Sequence, residues 1–305
     1  MSPYPVALCC ADLHQWHVPP VSRAAEVDWW EAMRRPLRQL RRLQIKHGIP
    51  VIYVGDVTDR SNATPELIWF MLHELVDGYA VAGQHDLEHH NLENVRKTGF
   101  GTLVKAGKLT WLEPGKPVEV PGRMPLRLHG FNWGEEIKSL EDPHDMMLEI
   151  AVIHRGLWQE GTGHPESSDA DHQTSIQPKL KGYAVAVFGD NHQGFTVPGT
   201  KELPVLYNCG TLIRRTSKER ELKPAIGIIC SDGSVVRKEL DCSLDAFSET
   251  TDVPVTGRNF GKVIEGMNEL GEGGIDFRAA VERALRADAG PGVRELVLIS
   301  MEESK

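Results

Sequence analysis

Five short β-prone segments of the sequence each end in acidic, imidazole or amide side chains. The segments cover residues 7–10, 51–54, 79–82, 150–153 and 184–188. The groups that follow them are Asp12 and His14; Asp56; Gln84, His85 and Asp86; His154; and Asp190 and His192. Any one group alone would be interpreted as turn formers or as satisfied core histidines. Because all five share the strand context and follow one another in order, they favour a metal site assembled from strand ends.

The residue types suit a pair of divalent cations. Two cations about 3.5 to 4 Å apart need a bridging carboxylate, imidazole or oxygen ligands on each ion, and space for a bound hydroxide. Hard oxygen donors and borderline nitrogen donors are present in sufficient number for two ions. They are Asp12, His14, Asp56, His154 and His192, with Gln84 and Asp190 as further oxygen donors.

The ordered motifs DLH, GDVTDR, GQHD, AVIHRG and GDNH resemble those of the calcineurin-like metallophosphoesterase superfamily. The usual pattern there is DxH, GDxxDR, GNHD, a single histidine and GHxH, and the match runs from residue 8 to about residue 195. By this resemblance, three residues would hold the first metal, one would bridge and three would hold the second. These are Asp12, His14 and His192; Asp56; and Gln84, His154 and Asp190.

Two departures from the pattern fall on the second metal. Gln84 replaces the usual asparagine and reaches one methylene further, while Asp190 replaces a histidine with a harder anionic donor. We interpret both as altered metal preference. The expected cofactor is therefore two divalent ions, with manganese first and magnesium, iron or zinc as alternatives. The departures also keep open a non-catalytic scaffold that binds metal.

The resemblance implies phosphoester hydrolysis by a metal-activated hydroxide. His85 would be the non-ligand histidine beside the phosphate, where it protonates the leaving alkoxide or stabilises the phosphoryl oxygens. Asp86 is expected to fix the tautomer of this imidazole. Arg60 is either a phosphate clamp or a structural partner of Asp59, and we favour the structural role slightly.

The substrate is less constrained than the chemistry. The AVIHRG strand end and the GDNH group, followed by YNCG, are most similar to SbcD-type DNA repair exonucleases. That similarity implies a phosphodiesterase or nuclease that acts on DNA or RNA, with an ATPase partner. A phosphatase or phosphodiesterase for nucleotides or phosphoprotein is the alternative.

Charge bears on this choice. The net charge of −9 opposes a tight nonspecific grip on nucleic acid. Two basic runs, at residues 34–46 and 214–220, are either solvated outer faces or surfaces that track phosphates. The second run is the better candidate for phosphate binding because it follows the last metal motif.

The pattern of elements predicts an α/β fold, or α+β in detail. Strands alternate with helices at 24–47, 65–77 and 87–97, and further strands follow at 109–112, 126–131, 205–207, 225–229 and 234–238. Ser231 to Gly233 is a hairpin turn signal. We expect a four-layer αββα sandwich of two mixed sheets flanked by helices over residues 1–240. Residues 241–305 would form a small C-terminal α+β appendage, either a cap or a docking module.

Several classes are disfavoured. No segment approaches the roughly 18 uninterrupted apolar residues that a spanning helix needs, so we expect a cytoplasmic protein without a membrane partner. Five cysteines without CxxC spacing suggest neither a disulfide framework nor a thiolate zinc site. The acidic segment 161–174 is expected to be a loop that overhangs the site. A homodimer is left open.

Overall fold

The computed structural model describes residues 2–162 and 170–248, which contain two six-stranded sheets. The strands of the first sheet are β1 Pro5–Cys10, β2 Val51–Val54, β3 Gly78–Val81, β4 Leu109–Trp111, β13 Ala225–Cys230 and β14 Val235–Glu239. The strands of the second sheet are β5 Val118–Val120, β6 Leu126–Phe131, β7 Leu148–His154, β10 Val185–Gly189, β11 Phe195–Val197 and β12 Val205–Asn208. A small two-stranded sheet joins β8 Leu157–Trp158 to β9 Asp171–His172.

Both large sheets are mixed. The first has the order β14-β13-β1-β2-β3-β4, with β1 to β4 parallel and β13 antiparallel to both of its neighbours. The second has the order β11-β12-β10-β7-β6-β5, with a parallel centre and antiparallel edge strands. This confirms the predicted fold class of two mixed sheets with helices.

The helices are unevenly distributed between the outer faces. They are α1 Trp29–His47, α2 Pro65–Glu74, α3 Gly99–Lys105 and α4 Gln173–Ile176. Short 3₁₀ segments cover Val21–Arg23, Glu88–His90, Leu92–Lys97, Gln177–Leu180 and Ser217–Glu219. Among the described residues, the first three helices pack on the first sheet, whereas one short helix and one 3₁₀ segment pack on the second. The outer layer over the second sheet is therefore thinner than the predicted sandwich implied.

The core is divided into layers by the alternation of side chains along each strand. In β1, Leu8 and Cys10 pack against the helices, while Ala7 and Cys9 pack between the sheets. The face of the second sheet that lies away from the first buries Phe188 beside the short helix. Because the central strands are buried on both faces, they read as continuous apolar runs in the sequence.

The sequence misplaced some local elements. The helix predicted at 24–47 begins only at Trp29, where Asp28 caps it by accepting a hydrogen bond from the Glu31 backbone N–H. The helix predicted at 87–97 is wrong, because two 3₁₀ segments replace it and His89 has a left-handed backbone with φ 55°. Helices α3 and α4 and strands β5, β8, β9 and β11 were not predicted.

The C-terminal appendage predicted at 241–305 lies mostly outside the described residues. Within residues 241–248, the Asp245 carboxylate forms ion pairs with Arg23 and Arg214, and the Ser248 backbone N–H donates to the Ser22 carbonyl. These eight residues thus contact the sheet-bearing part of the chain. Among the helices of the described residues, none is long and apolar enough to cross a membrane.

The parallel strands position the candidate site. The residues that follow β1, β2, β3, β7 and β10 lie at the carboxyl ends of these strands, where α/β sheets form ligand crevices. His154 is the last residue of β7 and lies opposite Gly189 of β10 in the sheet register. Two isolated bridges, between Ala11 and Thr211 and between Gln15 and Thr58, tie the loops beyond the strand ends together.

Candidate metal centre

A first cluster of ligand atoms joins Asp12, His14 and His192, whose donor atoms lie within 4.8 Å of one another. The Nε2 atoms of the two imidazoles face each other at 3.2 Å. Both oxygens of the Asp12 carboxylate accept from the Asp190 backbone N–H at 3.1 Å, which fixes this carboxylate beside the loop that carries His192. The sequence placed these three side chains on one metal, and the structure brings them together.

A second cluster joins Asp12, Asp56 and His154 within the same limit of 4.8 Å. The Oδ2 atom of Asp56 lies 3.5 Å from His154 Nε2 and 3.7 Å from His14 Nε2. Asp56 is 1% exposed and stands between the ligand atoms of the two clusters. This is the location that a bridging carboxylate requires.

Gln84 and Asp190 lie next to the second cluster. The Gln84 Oε1 atom is 2.8 Å from His154 Nε2, and its Nε2 donates to Asp190 Oδ1 at 2.6 Å. Ligand atoms that bind one cation at about 2.1 Å lie roughly 3 Å apart when at right angles. The longer reach of glutamine therefore still brings its amide oxygen to ligand spacing from His154.

The Nδ1 atoms of His154 and His192, which lie on the opposite side of each ring from Nε2, are hydrogen-bonded within the chain. His154 Nδ1 donates to the Val54 carbonyl at 2.7 Å, and His192 Nδ1 donates to the Glu219 carboxylate at 2.5 Å. Such partners orient a histidine ligand and present its Nε2 atom to the metal. The sequence reasoning missed Glu219. Its signal was the spacing of Thr216 and Glu219, which form a capping box on the segment Ser217–Glu219.

The backbone at the site is strained. Asp12, His14, Asp56 and Asp190 have positive φ values of 52°, 42°, 49° and 86°. L-residues rarely adopt this left-handed conformation, and it persists where surrounding structure and function demand it. Four of the predicted ligands thus share an unfavourable backbone that turns their side chains at the strand ends.

Two glycines let the backbone approach the ligands. A Cβ atom on Gly83 would lie 2.1 Å from Asp56 Oδ1 and 2.7 Å from His154 Nε2. A Cβ atom on Gly55, where φ is 83°, would lie 2.1 Å from the His154 ring. The glycines of GDVTDR and GQHD are therefore required by close packing around a single imidazole.

The electrostatics fit a cation. Burial raises the pKa of Asp12 to about 7, although His192 and His154 lower it. Burial acts to lower the pKa of His154, but Asp56, Asp12 and Asp190 outweigh it and raise this pKa to about 10. A protonated ring would donate from both nitrogens, with its Nε2–H directed at Gln84 Oε1 and Asp56 Oδ2. A divalent cation would compensate the same buried carboxylates more fully than that proton.

Other residues of the cluster are also perturbed. Burial lowers the pKa of His14 to about 4, which leaves the imidazole neutral and able to bind a metal. Burial acts against ionisation of Glu219, yet its bond with His192 lowers its pKa to about 2. The pKa of Asp56 is lowered as well, because the charge and hydrogen bond of His154 outweigh burial.

The predicted non-ligand residues take different positions. The His85 side chain is exposed; its backbone N–H donates to Asp56 Oδ1 at 2.9 Å, and its Nδ1 donates to the Asp59 carbonyl at 2.8 Å. Asp86 was expected to orient this imidazole, and that role is wrong. Its buried carboxylate instead accepts from Thr58 Oγ1 and from the backbone N–H groups of Val57, Thr58 and Gly83, which braces the metal-site loops.

Arg60 lies at the periphery. Its side chain is 68% exposed, its Nε atom is 4.0 Å from Asp59 Oδ2, and its guanidinium stacks on Trp16 at 5.3 Å. The closer partner of Asp59 is Arg215, whose Nη1 is 2.6 Å from Asp59 Oδ1. Asp59 also lies within a third ligand-like group with His14 and His85, which the sequence reasoning did not anticipate.

The two basic runs are largely engaged within the chain. In α1, Arg34 pairs with Glu31 and Glu74, and Arg35 pairs with Glu26. In the second run, Arg214 pairs with Asp245, Arg215 pairs with Asp59, and Arg220 donates to the Ser248 carbonyl. These guanidinium groups already have partners, which reduces their capacity to track a nucleic acid backbone.

The expected overhanging loop is described only in part. Asp171 pairs with Arg155 at 3.0 Å, and the ring of His172 packs on Trp158. His164, another residue of this loop, lies outside the described residues.

Comparisons with known proteins give one family. A model of the calcineurin-like phosphoesterases matches residues 6–194. No curated protein matches the sequence. Among solved structures, the chain is similar to a protein from Staphylococcus aureus named as a candidate 5′-nucleotidase in complex with α-ketoglutarate. The identity is 14% and the TM-score 0.50, over 80% of this chain and 56% of that chain.

Two further structures match at comparable identity. A calcineurin-like phosphoesterase from Bacillus subtilis is 12% identical with a TM-score of 0.48, over 81% of this chain and 94% of that one. A 5′-nucleotidase precursor from Thermus thermophilus is 11% identical with a TM-score of 0.48, over 80% of this chain and 56% of that one. The chain thus spans little more than half the length of the two nucleotidase-like proteins.

Proposed function

Because the chain belongs to the calcineurin-like phosphoesterase family, we propose that it is a divalent-metal-dependent phosphoester hydrolase that acts on nucleotides. The observation that carries the chemistry is the convergence of Asp12, Asp56, His154 and His192 at one edge of the two sheets. The second-metal residues Gln84 and Asp190 contribute to the same constellation. Their geometry supports a metal centre, which both the enzyme and the metal-binding scaffold require, and the turnover assays below separate these two.

The residues present fit two cations. Asp12, His14 and His192 would hold the first, Asp56 would be shared, and Gln84, His154 and Asp190 would hold the second. Divalent cations bound here would supply Lewis acidity, which lowers the pKa of water and neutralises charge on phosphoryl oxygens. Manganese is the proposed metal, because carboxylate, amide and imidazole donors together suit it.

His85 is the proposed proton donor to the leaving group. Its side chain is exposed beside the clusters, with ring centroids of His85 and His14 4.8 Å apart. The Nδ1–H group is occupied by the Asp59 carbonyl, so Nε2 remains to exchange a proton with an alkoxide. The carbonyl also stabilises the protonated ring that donation requires.

A nucleotide is preferred to a long nucleic acid because of the charges around the site. Arginines 214, 215 and 220 follow the last metal motif, and each is bonded to an acidic side chain or a carbonyl of the chain itself. The net charge of −9 adds to this argument. The nuclease activity, the similarity to the SbcD branch and its ATPase partner remain predictions, and so does a homodimer.

The test is a substrate series with the manganese-loaded full chain. We expect turnover of bis-p-nitrophenyl phosphate or p-nitrophenyl phosphate, and turnover of nucleoside monophosphates or cyclic nucleotides. An Asp56→Asn variant should lose all of these activities, which excludes a contaminating enzyme. Labelled single- and double-stranded DNA, assayed at low and moderate salt, provides the comparison.

The outcomes separate the candidates. Turnover of nucleotides without degradation of DNA supports the proposal, whereas degradation of DNA at both salt concentrations supports the nuclease instead. If a folded, manganese-bound chain cleaves none of these esters, the scaffold interpretation replaces the enzyme.

A further inference from the structure

A pocket of about 260 Å³ adjoins the candidate metal centre on the side of His154. Its lining includes Phe131, Trp133, Arg155 and His154 itself. The centroids of the Trp133 and His154 rings are 6.3 Å apart, with an angle of 60° between their planes. A group attached to a phosphate at the metal centre could therefore reach this pocket within a few bonds.

The pocket presents two aromatic side chains. Phe131 is the last residue of β6, and Trp133 follows two positions later. Trp133 lies in the turn that follows the strand, and both residues line the pocket while remaining partly exposed. Aromatic faces of this kind stack on planar rings, including any nucleobase.

The loop that carries Trp133 is fixed to the metal-site loop. The Trp133 backbone N–H donates to the Ala82 carbonyl at 2.9 Å, and the Ala82 N–H donates to Asn132 Oδ1 at 2.8 Å. Ala82 directly precedes Gly83 and Gln84, so the backbone of Trp133 is tied to the strand end that supplies a candidate ligand.

Asn132 is itself locked in place. It is 2% exposed, its Oδ1 accepts from Trp111 Nε1 at 2.8 Å, and its Nδ2 donates to Glu135 and to the Leu112 carbonyl. The backbone of the adjacent Trp133 is therefore positioned before a ligand binds, which reduces the entropy lost on binding.

We propose that this pocket is the subsite for the nucleobase of a single nucleoside phosphate, with Trp133 as the specificity-determining residue. The inference rests on the function proposed above. The volume of about 260 Å³ is below the range of roughly 300 to 1,000 Å³ typical of larger ligands, so it admits one base but not a stacked strand. Arg155 also lines the pocket, where its guanidinium is paired with Asp171 at 3.0 Å.

The experiment compares two phosphate monoesters that differ only in the base. KM for adenosine 5′-monophosphate and for ribose 5-phosphate is measured with the manganese-loaded full chain, its Trp133→Ala variant and its Trp133→Phe variant. If the base stacks on the indole, Trp133→Ala should raise the KM for adenosine 5′-monophosphate but not the KM for ribose 5-phosphate. The ratio of the first KM to the second should then rise about 5- to 150-fold. Trp133→Phe should restore most of the wild-type ratio. Trp69→Ala is the matched control, because Trp69 is an exposed tryptophan of α2.

A binding measurement separates the subsite from catalysis. Adenosine, which has no phosphate, is titrated calorimetrically into the wild type and the Trp133→Ala variant. Binding that the variant loses supports the subsite even if no ester is cleaved, in which case only the proposed function fails. An unchanged KM ratio in Trp133→Ala, or adenosine affinity equal in both proteins, would overturn the subsite while leaving hydrolysis in place.

Discussion

At the scale of single residues, the orientation of His192 depends on a carboxylate from a distant segment. Glu219 is 5% exposed, accepts from His192 Nδ1 and also accepts from the backbone N–H groups of Arg215 and Thr216. We predict that Glu219→Gln weakens metal binding about 10- to 100-fold, because the neutral amide holds the ring less firmly. Competition with a chromogenic chelator measures the affinity. Glu202→Gln, at an exposed glutamate, is the control, and equal affinities in the two variants would contradict the prediction.

Gly83 sets the approach of the third strand end to the ligands. In Gly83→Ala the new Cβ would collide with Asp56 Oδ1 and His154 Nε2. We expect at least about tenfold weaker metal binding, with the circular dichroism spectrum retained. Gly122→Ala is the matched control, since its Cβ would meet only the Met124 carbonyl, at 3.4 Å. Wild-type metal affinity in Gly83→Ala would show that the loop can shift without cost.

The sequence predicted which side chains meet at the site, but not the hydrogen-bond partners that orient them. Each motif lies at a strand end, so the convergence of Asp12, Asp56 and His154 follows from the order of the strands. The hydrogen-bond partner of Asp86 was predicted wrongly. Asp86 is adjacent to His85 in sequence, but its carboxylate bonds to Thr58, whereas the His85 ring bonds to the Asp59 carbonyl. The pair of Arg215 and Asp59 joins segments that no local pattern relates.

At the scale of elements, α1 was predictable from its apolar period, and its buried face is specific. Leu37 is 1% exposed and packs with Met33 and Tyr53 in the layer between helix and sheet. We predict that Leu37→Ala lowers the free energy of unfolding by about 2 to 5 kcal/mol, through lost burial and the remaining cavity. Urea denaturation measures this. Ile45→Ala, at a position 71% exposed in the same helix, should change stability by less than about 0.5 kcal/mol; a similar loss in both variants would contradict the assignment.

The elements that the sequence missed have identifiable physical causes. The segment after GQHD carries several good helix formers, but His89 and His90 take positive φ values of 55° and 54°, which a continuous right-handed helix cannot include. Strands β8 and β9 have two residues each, too few for a period to emerge. The longer strand β7, by contrast, was predicted to within two residues at each end, because its centre is an unbroken apolar run.

At the scale of the whole molecule, arginines from distant segments are paired within the described part of the chain and are not left free for a polyanion. Asp245 pairs with both Arg23 and Arg214, and the ring of Phe247 lies within 5.3 Å of the guanidinium groups of Arg23, Arg214 and Arg220. Two arginines of the second basic run, Arg214 and Arg220, are thus held by residues 241–248. The sequence could supply the composition of this run but not its partners, because those of Arg214 and Arg220 lie 31 and 28 residues away along the chain.

Metal binding should be coupled to the stability of the whole fold. The candidate ligands come from both sheets, and the buried carboxylates of Asp12 and Asp56 lie close together, so cations that bind only the folded chain stabilise it by mass action. At a free metal concentration 100 times Kd, each filled site adds about 2.7 kcal/mol, or roughly 5 to 10 °C in Tm for a domain of this size. Calorimetry of the chelator-treated chain with and without manganese measures the shift. Asp56→Asn should remove most of it, because a neutral amide cannot bridge two cations. An equal shift in wild type and variant would mean that manganese binds elsewhere.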